Sequence, residues 1–240
     1  MSSACSNLRA CVSVVGRLLG PCLALWALLL AFICTCPAAE LTLKVTDKEP
    51  PKEIDPSIRS KLQSQAVQLL AGEKPGYEFW FSSEIPVQTK PASAAKALDA
   101  IKETSLLGAV SVANTSRDYR DDELPAGVYT MRFVLQPQDG DHLGTAEFSY
   151  FAALVSSKLD TKPDGITDYK SLVKASAKSV SADHPAILSL RPASSDTGET
   201  PKLNEPAPEH KSVRVKVPAK AGAEKTSIVF ELVYEGKGKK

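Results

Sequence analysis

Strict alternation of apolar and polar residues constrains this chain more than any other feature. In "KSVRVKV", Val213, Val215 and Val217 fall on one side, while Lys211, Arg214 and Lys216 fall mostly on the other. Successive side chains of a strand point to opposite faces, so such a run makes a half-buried β-strand and a poor helix. The pattern recurs in "LTLKV", "YEFWF", "SLLGAVSV", "VYTMRFVL" and "TSIVFELVY", and "AVQLL" and "AILSL" add shorter runs. In "SLLGAVSV" the alternation aligns Leu106, Val110 and Val112. "EFSYFAALV" is apolar at consecutive positions, as a central strand covered on both faces requires. Turn chemistry separates the runs: "AGEKPG", the Pro–x–Gly of "LPAG", and "PAKAGAEK". Helical patterning is sparse. It is confined to "DPSIRSKL" with Asp55 as N-cap and Pro56 at the first helical position, to "SAAKALDAI", and to "TDYKSLVKASAKSV" capped by Thr167 or Asp168. With few helices to carry parallel crossovers, the expectation is a mainly β protein: an antiparallel β-sandwich, immunoglobulin-like or jelly-roll-like, with a few short helices. Residues 191–210, rich in Pro, Ser and Glu, read as an exposed, mobile loop before the final hairpin. That hairpin is too small to stand alone, so residues 40–240 are taken as one domain.

Nothing covalent reinforces that core. All five cysteines (Cys5, Cys11, Cys22, Cys34 and Cys36) lie in residues 1–39, which read as a signal peptide. Arg9 and Arg17 are the only charges there, "LALWALLLAFI" supplies an apolar run of signal length, and a cut after Ala38 places Cys36 and Ala38 at the specificity positions. An uncleaved membrane anchor and a lipid-bearing Cys36 are the alternatives, and the first is the only membrane attachment expected. The exported chain, periplasmic or extracellular, then holds no thiol. Disulfides, thiolate–metal sites and thiol catalysis are excluded for it. About 200 residues can bury roughly 70% of their unfolded surface, enough for an apolar core. Setting Arg9 and Arg17 aside from the 29 basic side chains leaves 27 against 28 acidic ones, a formal charge of −1. Such a chain has no electrostatic basis for holding nucleic acid. The basic tail "EGKGKK" reads as a frayed, solvated terminus.

The chemistry-bearing residues are few. His142, His184 and His210 each follow an acid: Asp141, Asp183 and Glu209. Imidazole beside carboxylate can ligate copper or zinc, which makes His142, His184, Asp141 and Asp183 the candidate metal ligands. Separations of 42 and 26 residues define no local motif, so turn residues are the simpler reading. Asp139, Asp141 and Glu147 offer oxygen ligands without the calcium-loop pattern. The standard hydrolase, zinc-protease, phosphate-loop and dinucleotide motifs are absent, although a convergent Ser–His or carboxylate pair would leave no local signature. Trp80, opposite Tyr77, Phe79 and Phe81 on its strand, is either core or an exposed platform for a sugar ring. Asn114 begins an N-glycosylation sequon. Arg132, inside an otherwise apolar strand, either faces solvent or is paired with an acid.

"DYRDDELPAGVYTMRFVLQPQDGDHLG" together with "DHPAILSL" resembles a group of exported bacterial proteins of unknown function. Their shared pattern is GVYT-x-R, then LQP-x-x-GDH-x-G, then HPA-x-LSL, and the resemblance spans residues 78–190. It brings no activity, but it places His142 and His184 in the pattern and leaves His210 out. The expected function is an exported, non-catalytic binding or structural module with an unknown ligand or protein partner. A periplasmic copper- or zinc-binding protein using His142 and His184 is the second reading, and a hydrolase with a convergent site the third.

Overall fold

Each alternating run becomes a strand whose apolar positions share one interior. A computed structural model describes residues 41–138 and 144–238, and in it the chain is mainly β. The signal-peptide reading of residues 1–39, and the candidates Asp139, Asp141 and His142, lie outside the described residues. Glu40–Lys240 forms one compact unit. Its strands are β1 (Leu41–Asp47), β2 (Gln65–Ala71), β3 (Lys74–Phe81), β4 (Ile85–Val87), β5 (Leu106–Val112), β6 (Ser116–Arg117), β7 (Glu123–Leu124), β8 (Gly127–Leu135), β9 (Tyr150–Ser156), β10 (Ile187–Pro192), β11 (Lys202–Ala207), β12 (His210–Ala221) and β13 (Glu224–Glu235). Among the described residues, two helices, α1 (Pro56–Arg59) and α2 (Tyr169–Val180), and two short 3-10 turns complete the regular structure.

Eleven strands form one sheet in the order β1-β2-β3-β5-β8-β9-β10-β13-β12-β11, with β4 attached to β12, and β6 and β7 make a separate ribbon. All pairings are antiparallel except β4 with β12. The sheet curls over on itself. Strands β3 and β13 are separated by four others, yet Phe81 meets Phe230 edge-on at 6.2 Å between ring centroids, and Tyr77 lies 6.0 Å from Tyr234. The antiparallel, sandwich-like architecture is therefore carried by a single sheet whose two halves pack face to face. Their shared interior holds Phe79, Met131, Phe133, Leu154, Val215 and Phe230, among others. Each large apolar side chain buried there contributes about 1.5–3 kcal/mol.

The outer faces are covered locally. On β9, Ala152 and Leu154 enter the main interior, while Phe151, Ala153 and Val155 point outward beneath α2. Asp168 caps α2 by accepting from the Ser171 amide at 3.0 Å, and Ser176 Oγ donates to the Leu154 carbonyl at 2.7 Å, which fastens the helix to β9. Asp55 caps α1 through the Ser57 amide at 2.8 Å. Ile54 and Ile58, around α1, cover Trp80.

Four local expectations are revised. Leu106 joins Trp80 on the outer face, because the β5–β8 ladder shifts between Leu106 and Gly108 and reverses the side of everything before it. "SAAKALDAI" forms two three-residue 3-10 turns that insert Ala97 and Leu98 into the main core. Residues 191–210 contain a strand, β11, paired along the first half of β12. Pro206 is tolerated in β11 because this is the last strand of the sheet. The described part of the tail, 236–238, is docked, as set out below.

Candidate functional site

The run "RDYRDD" builds the loop that lines both hollows of the molecule described below. Asp118 is 2% exposed, and its carboxylate accepts from three backbone amides: Arg120 at 2.8 Å, Asp122 at 3.0 Å and Ile187 at 3.0 Å. The first two bonds close the loop on itself, and the third ties it to β10. Burial pushes the Asp118 carboxyl above the usual carboxylate range, although the three amide bonds oppose the shift. Asp121 sits in the left-handed region at φ 67°, which lets the chain reverse.

The C-terminal tail presses against this loop. The Gly238 amide donates to the Tyr119 carbonyl at 2.9 Å, and Lys237 Nζ stands 4.0 Å from Asp121. A Cβ on Gly238 would come within 2.7 Å of the Thr145 carbonyl, and one on Gly236, at φ 137°, within 2.7 Å of the His210 ring. The glycines that suggested fraying are what permit this close approach.

Loop and tail together separate two hollows. The larger is a cleft of about 770 Å³. Its floor is the outer face of the central strands, with Val134, Phe151, Ala153 and Ile187, flanked by Tyr119 and by Tyr169 and Val173 of α2. Its rim is polar, with Arg120 and Asp122 on one side and Asp183 and His184 on the other. Arg120 Nε pairs with Asp122 at 3.2 Å. Burial pushes the Tyr119 phenol above its ordinary value, so it is neutral at physiological pH.

The candidate ligands divide accordingly. Asp183 and His184 are exposed on the turn between α2 and β10, where Ser181 at φ 56° ends the helix. They line the cleft mouth. Among the described residues no group of three or more His, Asp or Glu side chains could hold a metal ion. His210 begins β12, with Nδ1 at 2.9 Å from the Pro208 carbonyl and its ring 5.9 Å from Tyr119. Glu147, the one described oxygen ligand of the calcium reading, pairs with Arg191, with Nη2 to Oε1 at 3.1 Å. Trp80 is fully buried, its Nε1–H donating to the Lys48 carbonyl at 2.8 Å, so it is core and offers no face to a sugar. Asn114 is exposed.

Arg132 resolves to the paired state. Both it and Asp160 are 1% exposed. Nε donates to Asp160 Oδ2 at 2.7 Å and Nη2 to Oδ1 at 2.8 Å, while the Thr104 and Lys162 carbonyls each accept at 3.0 Å. Thr130 Oγ1 adds a bond to Oδ2 at 2.6 Å. Four of the five guanidinium N–H groups are thus used, and the segment after β9 is pinned across β8. Sequence reading missed the tyrosine-lined cleft itself. The available signal was Tyr119 and Tyr169, each beside a charged, capped turn.

Compared with known proteins, the chain matches no family model, no curated protein and no solved structure. Among the described residues no helix is long and apolar enough to cross a membrane.

Proposed function

We propose that this chain is an exported, non-catalytic binding module whose ligand occupies the larger cleft. One observation carries the reading: a hollow of about 770 Å³ with an apolar, aromatic floor and a few convergent polar groups at its rim. Small-molecule sites have this size and this division of labour, with burial supplying affinity and the rim supplying orientation. The framework beneath it is rigid, since the floor strands are also the centre of the curled sheet. An apolar or aromatic group would sit over Phe151 and Ile187, and a polar substituent would meet Arg120 or His184.

The test uses 1-anilinonaphthalene-8-sulfonate as the probe. The native chain should enhance its fluorescence saturably. Val173→Trp, on the exposed side of α2 but lining the cleft, should weaken binding about tenfold by occupying the space. Equal binding by both proteins, or a response that appears only on partial unfolding, overturns the assignment.

The copper or zinc reading rests on Asp183 and His184 at the cleft mouth. It predicts a metal-induced rise in melting temperature that disappears in His184→Ala. No rise with either metal removes it. Export itself predicts a mature N-terminus at Ala39.

A further inference from the structure

The smaller hollow, about 380 Å³, lies on the other side of the loop and tail, at the open end of the aromatic ladder in the sheet interior. That ladder runs from Phe230 through Phe81 and Phe79 to Tyr77, with ring centroids 6.0–6.2 Å apart, and turns to Tyr234. Tyr77 and Tyr234 meet at 51° and form an aromatic corner in the hollow wall. Tyr234 is 4% exposed, and its hydroxyl makes no hydrogen bond to a described residue. The ring is buried, while the oxygen keeps contact with solvent in the hollow that Tyr234 lines, where the N–H donors of a ligand can replace water.

Charge selects among ligands. The rim carries Asp121, Glu209 and Glu235, with Asp118 beneath, and the cations Arg117 and Lys237. Most of these have partners. Arg117 Nη1 donates to the Asp121 carbonyl at 2.9 Å, Lys237 approaches the Asp121 carboxylate, and Lys211 pairs with Glu235 at 3.0 Å. Asp118 is held by its three amides. Glu209 makes no ion pair with a described residue; it is exposed at the rim and fixed at φ 60° by the turn between β11 and β12. One unpaired carboxylate, one unpaired phenol oxygen and two aromatic rings therefore converge on one hollow. A cation is attracted to ring faces within about 6 Å, and a primary ammonium also has three N–H donors to give to oxygen.

We propose that this hollow binds the primary ammonium group of a small alkyl amine, with Tyr234 Oη and the Glu209 carboxylate as acceptors and the Tyr77 and Tyr234 rings as its walls. This site is separate from the larger cleft and does not depend on it. Burial, with the nearby Glu235 and Glu205 carboxylates, pushes the Tyr234 phenol up to about 12, so its oxygen stays protonated and neutral at physiological pH.

The experiment is a titration of the full chain, carrying ring-labelled tyrosine, with butylammonium chloride, and with 1-butanol and sodium chloride as controls. The expected result is a saturable shift of the Tyr77 and Tyr234 ring resonances with butylammonium alone. Glu209→Gln should raise its Kd about two- to fivefold, the range for a pair at a solvent-facing rim. Tyr234→Phe gives up no hydrogen bond of the fold, and it should weaken binding while leaving Tyr77 as the reporter. No saturable shift, an equal response to 1-butanol, or an unchanged Kd in both variants overturns the proposal. Because probe binding in the larger cleft is read separately, either site can fail without the other.

Discussion

Removing Asp160 should be among the most damaging single changes outside the main core. The carboxylate accepts two guanidinium bonds and the Thr130 hydroxyl at 1% exposure, so Asp160→Ala leaves a charged guanidinium away from water with only two neutral carbonyls as partners, while the Thr130 hydroxyl can turn to the Val155 carbonyl. Breaking one side of a buried pair costs about 3–5 kcal/mol, because the remaining charge has lost its compensation and cannot regain solvent. For a chain of this size each kcal/mol lowers Tm by about 2–4 °C, which makes the expected drop roughly 6–20 °C. Urea unfolding with the midpoint converted through an unchanged m-value measures it. The informative companion is Arg132→Met with Asp160→Leu. With neither charge left, the double variant should lie closer to the parent than either single variant. The reasoning fails if Asp160→Ala costs under about 1 kcal/mol, the worth of an exposed pair, or if the two single losses simply add.

Three further outcomes follow from the same packing. Gly108→Ala should destabilise by about 1–3 kcal/mol or prevent folding, since its Cβ would lie 2.4 Å from the Trp80 carbonyl and 2.9 Å from the Phe81 Cα, both backbone atoms; denaturant midpoints check this. Tyr150 is held up at about 12 by burial and by its hydrogen bond to Asp99, and Tyr234 by burial to about 12, whereas unfolded tyrosines ionise near 10.0. These raised values mean that their stabilising contribution is complete below about pH 10 and is lost as pH climbs toward 12; Tyr150→Phe should flatten that alkaline loss, and the phenolate absorbance of the native chain should show a late-titrating class. Trp80, the sole tryptophan after residue 39, should emit at short wavelength and resist acrylamide quenching; ready quenching would contradict its burial beneath α1.

Much of the framework was legible because burial leaves a period. Val213, Val215 and Val217 alternate in the sequence and all enter the interior, and the doubly apolar β9 is covered on both faces. The Asp55–Pro56 cap signal located the helix that hides Trp80. What escaped was non-local or lacked periodicity. Arg132 announced an exception, but its partner lies 28 residues further on and is defined only by folding. Strand β11 is an edge with Pro206 inside it, so neither alternation nor β-rich composition marked it. The tail looked flexible because glycine permits many conformations as readily as one close contact. Leu106 was assigned to the wrong face because a bulge is one residue of extra backbone, invisible to a count of two. For the candidate site, "DHP" was read as a source of metal ligands and lies on a cleft-lining turn, while the aromatic floor is assembled from strands and a helix far apart in the chain.

Strand β4 parts from its neighbour β3 to lie beside Ala219–Ala221 of β12, so residues 85–87 find their partner more than 130 positions later. That long reach governs assembly. Until β12 and β13 have been made, the rim of β10 lacks its pairing partner, β4 has only the Val87–Ile101 bridge, and one wall of the interior is missing. A polypeptide emerging from its N-terminus can therefore collapse early but cannot close early, and contacts this distant make folding slow. Whatever brings the chain to its folding compartment, the interior locks only once β12 and β13 are present.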